Sequence, residues 1–341
     1  MLDANSLDGL SLIMPEAIGA YGKSVEGEAP SPATADPFGR DLDSLKTRFE
    51  SGEDVAAVFK DLLQCLRGWH SSMPAAEWRS VSPHIARHGI SEMLLQDPFT
   101  GWSNRKPRGY SGDAALLDFV YGHPSIGVHV EGTTDFGRKL YEVTRQAVSP
   151  QAVRERREIL AREIDSTAGL RDGAEIMAIA AGHLREAELS AALATGSLRR
   201  LVALDQDPLS IDEVNSMGNP LIETVKGSVR DVIGRYKKFG TFDLVYSAGL
   251  YDYLEHQVAV KMTRRCLSML KPGGSYLFAN FGNTIPETGY MHTFMRWELI
   301  LRSREEMLRI AEESAGDLPA TTEIFSGVHD AIHYARITRL S

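Results

Sequence analysis

Cysteine is almost missing from this chain. Only Cys65 and Cys266 occur among its 341 residues, far apart, each in a helical, leucine-rich context. That excludes a disulfide-stapled scaffold, and the pair reads as buried free thiols of a reducing cytoplasm. No His/Cys cluster has metal-ligand spacing either. His292 and the His329/His333 pair stand apart, so no metal is expected. A basic excess is also lacking. Lys and Arg number 37 against 46 Asp and Glu, a net charge of −9, which argues against a nucleic-acid partner. The basic groups that occur, as in RERREILARE, alternate with acids as on a solvated helix face. No apolar run approaches a membrane span, and the N-terminus lacks a basic stretch followed by an apolar one. A cytoplasmic protein without a membrane span is therefore expected.

Against these absences stands the stretch Ala174 to Asp207. Glu175–Ala181 is an apolar run ending in small residues, Leu184–Thr195 has helical composition and spacing, and Leu201–Leu204 is a second apolar run closing on Asp205. A parallel strand pair joined by a helix, with an acid ending the second strand, is a nucleotide-binding βαβ pattern. Small residues let a ligand approach the backbone, and an acid about twenty residues on can accept ribose hydroxyls. The glycine fingerprint is incomplete, with Ala180, Ala181, Gly182, His183 and Leu184 in its place.

Upstream, residues 1–40 cluster Pro, Ser, Ala and Gly and read as a mobile arm. Residues 41–170 read as a helical substrate or lid subdomain, with apolar residues at helical spacing in EDVAAVFKDLLQCLRGWHSSM and a helix start near Pro74. Within it, DPFTGWSNRKPRGYSGD is rich in aromatics, cations and glycine. It reads as a loop over a pocket, with Arg108 available for a carboxylate. Gly169 and Gly173 place the domain boundary, leaving 171–341 as the second domain.

That domain continues the strand–helix alternation. Leu221–Val225 is a third strand, followed by Ser228 and Val229. Phe242–Tyr246 is a fourth, ending at Ser247, Ala248 and Gly249. A helix over Gln257–Leu270 runs into Lys-Pro-Gly-Gly and a fifth strand, Ser275–Phe281. Thr321–Phe325 and Ala331–Thr338 then read as an antiparallel hairpin. The fold class is α/β, a doubly wound, mostly parallel seven-stranded sheet with an N-terminal helical subdomain.

VALDQDP, FDLVYSAGLYDYL and LSMLKPGGSYLFANF, in this order, resemble class I S-adenosylmethionine-dependent methyltransferases. KPRGYSGD, AAGHLREAEL, LDQDP, SVRDVI and YSAGLYDYL are similar, more narrowly, to bacterial methyltransferases that make 3-hydroxy fatty acid methyl ester signals. Those relatives carry a G-P-x-R-E first motif. Here His183 and Leu184 follow Gly182, while Arg185 and Glu186 are kept.

The resemblance implies a Rossmann-like methyltransferase sheet, S-adenosyl-L-methionine as cofactor and a small-molecule acceptor. The expected acceptor is a carboxylate giving a methyl ester; an oxygen or nitrogen of a specialised metabolite, or a binding protein that has lost transfer, are the alternatives. A homodimer is left open. Asp205 is expected at the ribose, Gln206 beside it, Ser228 and Val229 at the adenine, Ala180, Ala181 and Gly182 at the methionine part, and Ser247, Gly249 and Leu250 at the sheet edge. Tyr251 and Tyr253 are expected to face methyl transfer, Tyr251 as a catalytic partner. His292 is the candidate general base for a hydroxyl or amine; a carboxylate needs none. Arg108, Tyr110, Tyr290, Trp297 and Arg302 are the substrate-contact candidates.

Overall fold

The computed structural model describes residues 38–234 and 238–340. The expected arm over 1–40 lies outside them except for its last three positions. The described chain divides into two compact units. One holds the residues up to Gln151 with Pro286–Glu298; the other holds Ala152–Ile285 with Leu299 onward.

The second unit is built on one seven-stranded sheet. Its strands are β1 (Ala174–Ile179), β2 (Leu198–Asp205), β3 (Ile222–Lys226), β4 (Phe242–Ser247), β5 (Leu270–Phe281), β6 (Ala320–Ser326) and β7 (Ile332–Arg339). Their order is β3-β2-β1-β4-β5-β7-β6. All neighbours are parallel except the two pairs made by β7. The central strands explain the apolar runs: every residue of β4 is buried, and β1 buries all but Glu175. Strands covered on both faces need continuous apolar sequence rather than alternation. Edge strand β3 is only half buried.

The Lys-Pro-Gly-Gly segment belongs to β5 rather than preceding it. Phe242 pairs with Leu270 but Leu244 pairs with Ser275, so residues 271–274 bulge out of the ladder. Gly273 takes a left-handed φ of +74°, and a Cβ on Gly274 would lie 2.9 Å from the Phe242 carbonyl oxygen. The bulge aims Lys271 at Asp243 (2.7 Å) and Glu175 (2.8 Å), tying the starts of β1, β4 and β5 together.

The unit boundary falls at 151/152 instead of 170 because the Val148–Leu170 helix is anchored to the sheet unit along most of its length. Its Asp165 carboxylate accepts from Ser190 Oγ (2.6 Å) and Ala192 N (2.9 Å), and its Glu155 from Val328 N (2.6 Å). The helix expected over 184–195 is replaced by a 3-10 turn at Arg185–Glu188 and a short helix at Ala191–Thr195. Leu184 is left-handed (φ 51°), and Ser190 starts a new helix by capping Leu193 N, so one continuous helix is ruled out.

The first unit is helical. The stretch read as a loop from 97 onward begins with a helix, Pro98–Arg105. Buried Asp97 caps it, accepting from Phe99 N (3.0 Å) and Thr100 N (3.1 Å), with Pro98 in the first turn. A Cβ on Gly101 would sit 2.8 Å from the Leu95 carbonyl oxygen, so the glycine that lowers helix propensity is required by packing.

Pro286–Glu298 joins this unit because Glu287 accepts from Val148 N (2.7 Å) and Ser149 Oγ (2.6 Å). Its short helix Thr288–Thr293 lies against the helix Val55–Ser72, with Phe59 and Tyr290 edge to face at 5.1 Å. At Gly289 the approach is closest, and a Cβ there would meet the Leu66 carbonyl oxygen at 2.8 Å. Gly289→Ala is therefore expected to destabilise the protein by about 1–3 kcal/mol, the usual cost of overpacking. An unchanged urea midpoint would contradict that packing.

Candidate functional site

β1, β2 and β4 are parallel, so their carboxyl ends share one edge of the sheet. From β1 the chain goes on to β2 and β3 on one side; β4 leads to β5 on the other. The loops leaving β1 and β4 thus diverge, opening a crevice at a topological switch point where open α/β sheets bind ligands.

The loop after β1 lines that crevice with strained backbone. Ala180, Gly182 and Leu184 all have positive φ (53°, 55° and 51°). For non-glycine residues this costs roughly 1–2 kcal/mol each. The loop is held there by bonds from Ala181 N to the Leu204 carbonyl (3.0 Å) and from Gly182 N to Asp205 Oδ2 (2.7 Å). Ala180 is exposed; Ala181 and Gly182 are half-buried.

Asp205, 8% exposed, ends β2. Besides Gly182 it takes the Asp207 N–H on Oδ1 (2.8 Å). Burial raises its pKa, opposed by these backbone donors. Each carboxylate oxygen has further lone-pair capacity, so the group can brace the loop and still accept hydroxyl donors. Gln206 follows, half-buried.

Beyond β3, Ser228 and Val229 open the helix Val229–Ile233. Ser228 is engaged there in a capping box: its N–H and hydroxyl both face Asp231, at 2.8 and 3.0 Å. Its N–H and hydroxyl, expected at the adenine, are thus engaged in a local cap, with half-buried Val229 beside it. At the end of β4, Ser247 donates to the Ile179 carbonyl (3.0 Å) and fastens β4 to β1 at the switch point. Gly249 is half-buried and Leu250 buried. Arg156 donates to the Ala248 carbonyl (2.7 Å), a contact from another element that the sequence did not signal. Glu186, the acid kept from the first motif, is buried and takes a 2.7 Å bond from the Tyr246 hydroxyl; burial raises its pKa.

Two expected residues of this unit have other tasks. Tyr251 is 0% exposed, and its hydroxyl bonds Thr263 (2.5 Å) and Tyr276 (2.8 Å). Burial raises its pKa far above the tyrosine value. It is a core residue, not a catalytic group. Arg302 is 4% exposed and donates inward to the carbonyls of Tyr251 and Leu254 and to Asn280 Oδ1, so its role is structural rather than substrate contact. Tyr253 is half-buried at the end of the same 3-10 turn, Tyr251–Tyr253.

The remaining candidates lie in the helical unit. Arg108 approaches Asp113, Nε to Oδ1 3.9 Å, and Trp102 Nε1 also donates to that carboxylate (3.0 Å). The charge expected to hold a substrate carboxylate is therefore already matched by a buried one. Tyr110 is half-buried nearby. Tyr290 is buried with its hydroxyl 2.8 Å from Thr100 Oγ1, inside the network around Asp97. Trp297 is buried, outside the Thr288–Thr293 helix; its backbone N–H donates to the Met291 carbonyl (2.8 Å).

His292 stacks edge to face on His70 (ring centroids 5.4 Å). Burial, then the neighbouring His70 and Arg79, push its pKa down to about 4. A ring so weakly basic stays neutral at physiological pH and is a poor general base. Its C–H resonances are expected to titrate near pH 4, with no midpoint near the ordinary histidine value of about 6.5. The linked stability is present in full above about 6.5 and is lost as pH falls towards the folded value, because only the unfolded chain protonates in that window. An NMR midpoint in the ordinary range would contradict the assignment.

Among the described residues no His, Cys, Asp and Glu cluster is suited to a metal, and no helix is long and apolar enough to cross a membrane.

No protein-family model matches the chain, and no curated protein does. Solved structures do. A Bordetella parapertussis protein described as a possible exported protein shares 17% identity at a TM-score of 0.57, over 80% of this chain and 99% of its own. The N-methyltransferase NodS of Bradyrhizobium japonicum, in complex with S-adenosyl-L-homocysteine, shares 16% over 66% of this chain and all of its own, TM-score 0.41. CalS10 of Micromonospora echinaspora, an amino pentose methyltransferase, shares 12% over 54% and 90%, TM-score 0.39. At these identities the likeness is one of fold, and the two lower scores carry no argument. Strand order and the antiparallel seventh strand together define a doubly wound, Rossmann-like fold.

Proposed function

We propose that this chain is an S-adenosyl-L-methionine-dependent methyltransferase whose acceptor is a small organic acid, giving a methyl ester. S-adenosyl-L-methionine is the cofactor that the motif resemblance implies. The observation that carries the reading is the loop after β1, held in left-handed backbone by Asp205 at the switch point. Strained backbone maintained against its cost marks functional sites. Here small residues permit close approach, and a carboxylate with spare acceptor capacity stands where ribose hydroxyls need one. Ala180, Ala181 and Gly182 would hold the methionine part, Asp205 and Gln206 the ribose, Val229 the adenine, and Gly249 and Leu250 the rim after β4.

The cofactor supplies an electrophilic methyl group, and this chain's residues orient the partners and exclude water. The states of the expected catalytic partner, Tyr251, and of the expected general base, His292, favour an acid acceptor. Tyr251 is sealed in the core, and His292 is too weakly basic to activate a hydroxyl or amine efficiently. A carboxylate is already anionic and needs no base. The narrower likeness to fatty acid methyl ester synthases points to an acyl chain on that carboxylate.

Methyl-labelled cofactor offered with a panel of fatty and hydroxy acids, alcohols and amines tests this. Label is expected in a product that alkali cleaves to acid and methanol. An alkali-stable product means O- or N-methylation of another acceptor and overturns the ester; cofactor binding with no transfer to any class would leave a binding protein on this fold.

A further inference from the structure

The Val148–Leu170 helix sends one guanidinium to the carboxyl edge of the sheet. Arg156 is only 4% exposed, and its Nη1 donates to the Ala248 carbonyl (2.7 Å), just past the end of β4. Its Nη2 lies toward the next residue, and a Cβ built on Gly249 would be 3.9 Å from it. The guanidinium carbon is 6.0 Å from the centre of the Phe281 ring, which ends β5. The side chain therefore stands at the ends of β4 and β5, on the edge that carries the crevice.

Arg302 is buried to the same degree but differs in what its head does. It donates to two carbonyls and to Asn280. Among the described residues Arg156 makes one hydrogen bond, the bond to Ala248, and takes part in no ion pair. One of its five N–H donors is thus engaged. Its charge is balanced from further off. Burial raises the pKa values of Glu186 and Asp252, and the charge of Arg156 is among the effects that oppose this. The oxygens of these two acids take other donors, the Tyr246 hydroxyl (2.7 Å) and Phe281 N (2.7 Å). Buried donors are ordinarily satisfied, so N–H groups left over at the rim of a crevice point to a ligand. A planar fork fixed by one carbonyl and one ring suits a carboxylate, which takes two N–H groups at once.

Two carboxylates have no cationic partner in the function proposed above. One belongs to the amino-acid part of the cofactor, whose assigned neighbours Ala180, Ala181 and Gly182 carry no charge. The other belongs to the acceptor, since Arg108, the cation expected for it, faces Asp113. We propose that Arg156 is the carboxylate-binding residue of the crevice. The site stands on the geometry of the sheet unit; identifying the carboxylate as the cofactor's or the acceptor's rests on the proposed function.

The test titrates the full chain with three probes: S-adenosyl-L-homocysteine, 5′-methylthioadenosine, which keeps the nucleoside part and lacks the amino acid, and sodium octanoate. Arg156→Met is expected to weaken binding of a carboxylate probe by about tenfold or more and to leave 5′-methylthioadenosine unchanged. A loss confined to S-adenosyl-L-homocysteine identifies the cofactor's carboxylate, and a loss confined to octanoate identifies the acceptor's. Arg156→Lys keeps a cation near Glu186 and Asp252 and carries the test if the Met variant does not fold. With one ammonium in place of the fork, it is expected to lose about threefold or more on the same probe. Unchanged binding of both carboxylate probes in both variants, or an equal loss for 5′-methylthioadenosine, means that Arg156 only braces the loop after β4 and overturns the inference. Variant-sensitive octanoate binding, with neither nucleoside probe bound by the wild type, keeps the inference and removes the cofactor reading. S-adenosyl-L-homocysteine binding untouched in both variants, with octanoate equally untouched, does the reverse.

Discussion

Asp205→Ala is expected to weaken S-adenosyl-L-homocysteine binding by on the order of a hundredfold or more. Two effects combine. The ribose loses a charged acceptor, and a hydrogen bond to a charged group contributes about 1.5–3 kcal/mol. The loop after β1 also loses its brace, because Gly182 N and Asp207 N both end on this carboxylate. Without it, Ala180 and Leu184 relax out of their left-handed conformation and the crevice is no longer preformed. Asp205→Asn weakens both at once. An amide presents one acceptor where two N–H donors converge, so its NH2 opposes one of them, and binding should fall nearly as far. Calorimetry on the folded variants checks both; unchanged affinity in Asp205→Ala would remove Asp205 from the cofactor site.

The second large effect is on stability. Arg302→Ala is expected to cost about 3–5 kcal/mol, the range for removing one member of a buried charged network. Its guanidinium satisfies the carbonyls of Tyr251 and Leu254 and the Asn280 side chain. It also lies near Asp252, whose carboxyl accepts from Phe281 N (2.7 Å). Removal orphans these groups together, at the junction of β5 with the turn after β4. Arg302→Lys should recover little, since a single ammonium cannot span diverging acceptors. Urea unfolding measures this. A loss below about 1 kcal/mol, as at an exposed surface position, would contradict the buried network.

Arg302 shows where sequence reading stops. It follows Tyr290, Arg296 and Trp297 in the sequence, a grouping that suggests substrate contact; only the tertiary fold shows its head turned inward. Tyr251 is similar, since its position after β4 is right for a site and its side chain points into the core. The strands were legible because β1 and β4 are buried on both faces and must be continuously apolar, and because the β6–β7 hairpin carries its turn. The place of Asp205 at the end of β2 was legible from the apolar run that it closes; its bonds to Gly182 N and Asp207 N were not. The helix at Pro98–Arg105 had its signal in plain view, Asp97 followed by Pro98, but Gly101 and the surrounding cations favoured a loop. The broken segment after Gly182 had none: the loop before it is held by bonds from Ala181 N and Gly182 N to Leu204 and Asp205, more than twenty residues along the chain. Arg156, bonded to the Ala248 carbonyl 92 residues away, was beyond any local pattern.

The central claim is that the carboxyl edge of β1, β2 and β4 holds the cofactor. Hydrogen–deuterium exchange of the full chain with and without S-adenosyl-L-homocysteine tests it most directly. Slowed exchange is expected in the peptides covering 179–186, 204–208, 228–231 and 247–250, with little change in the β6–β7 hairpin. Binding accompanied by protection elsewhere, or no protection at saturating ligand, would contradict the account.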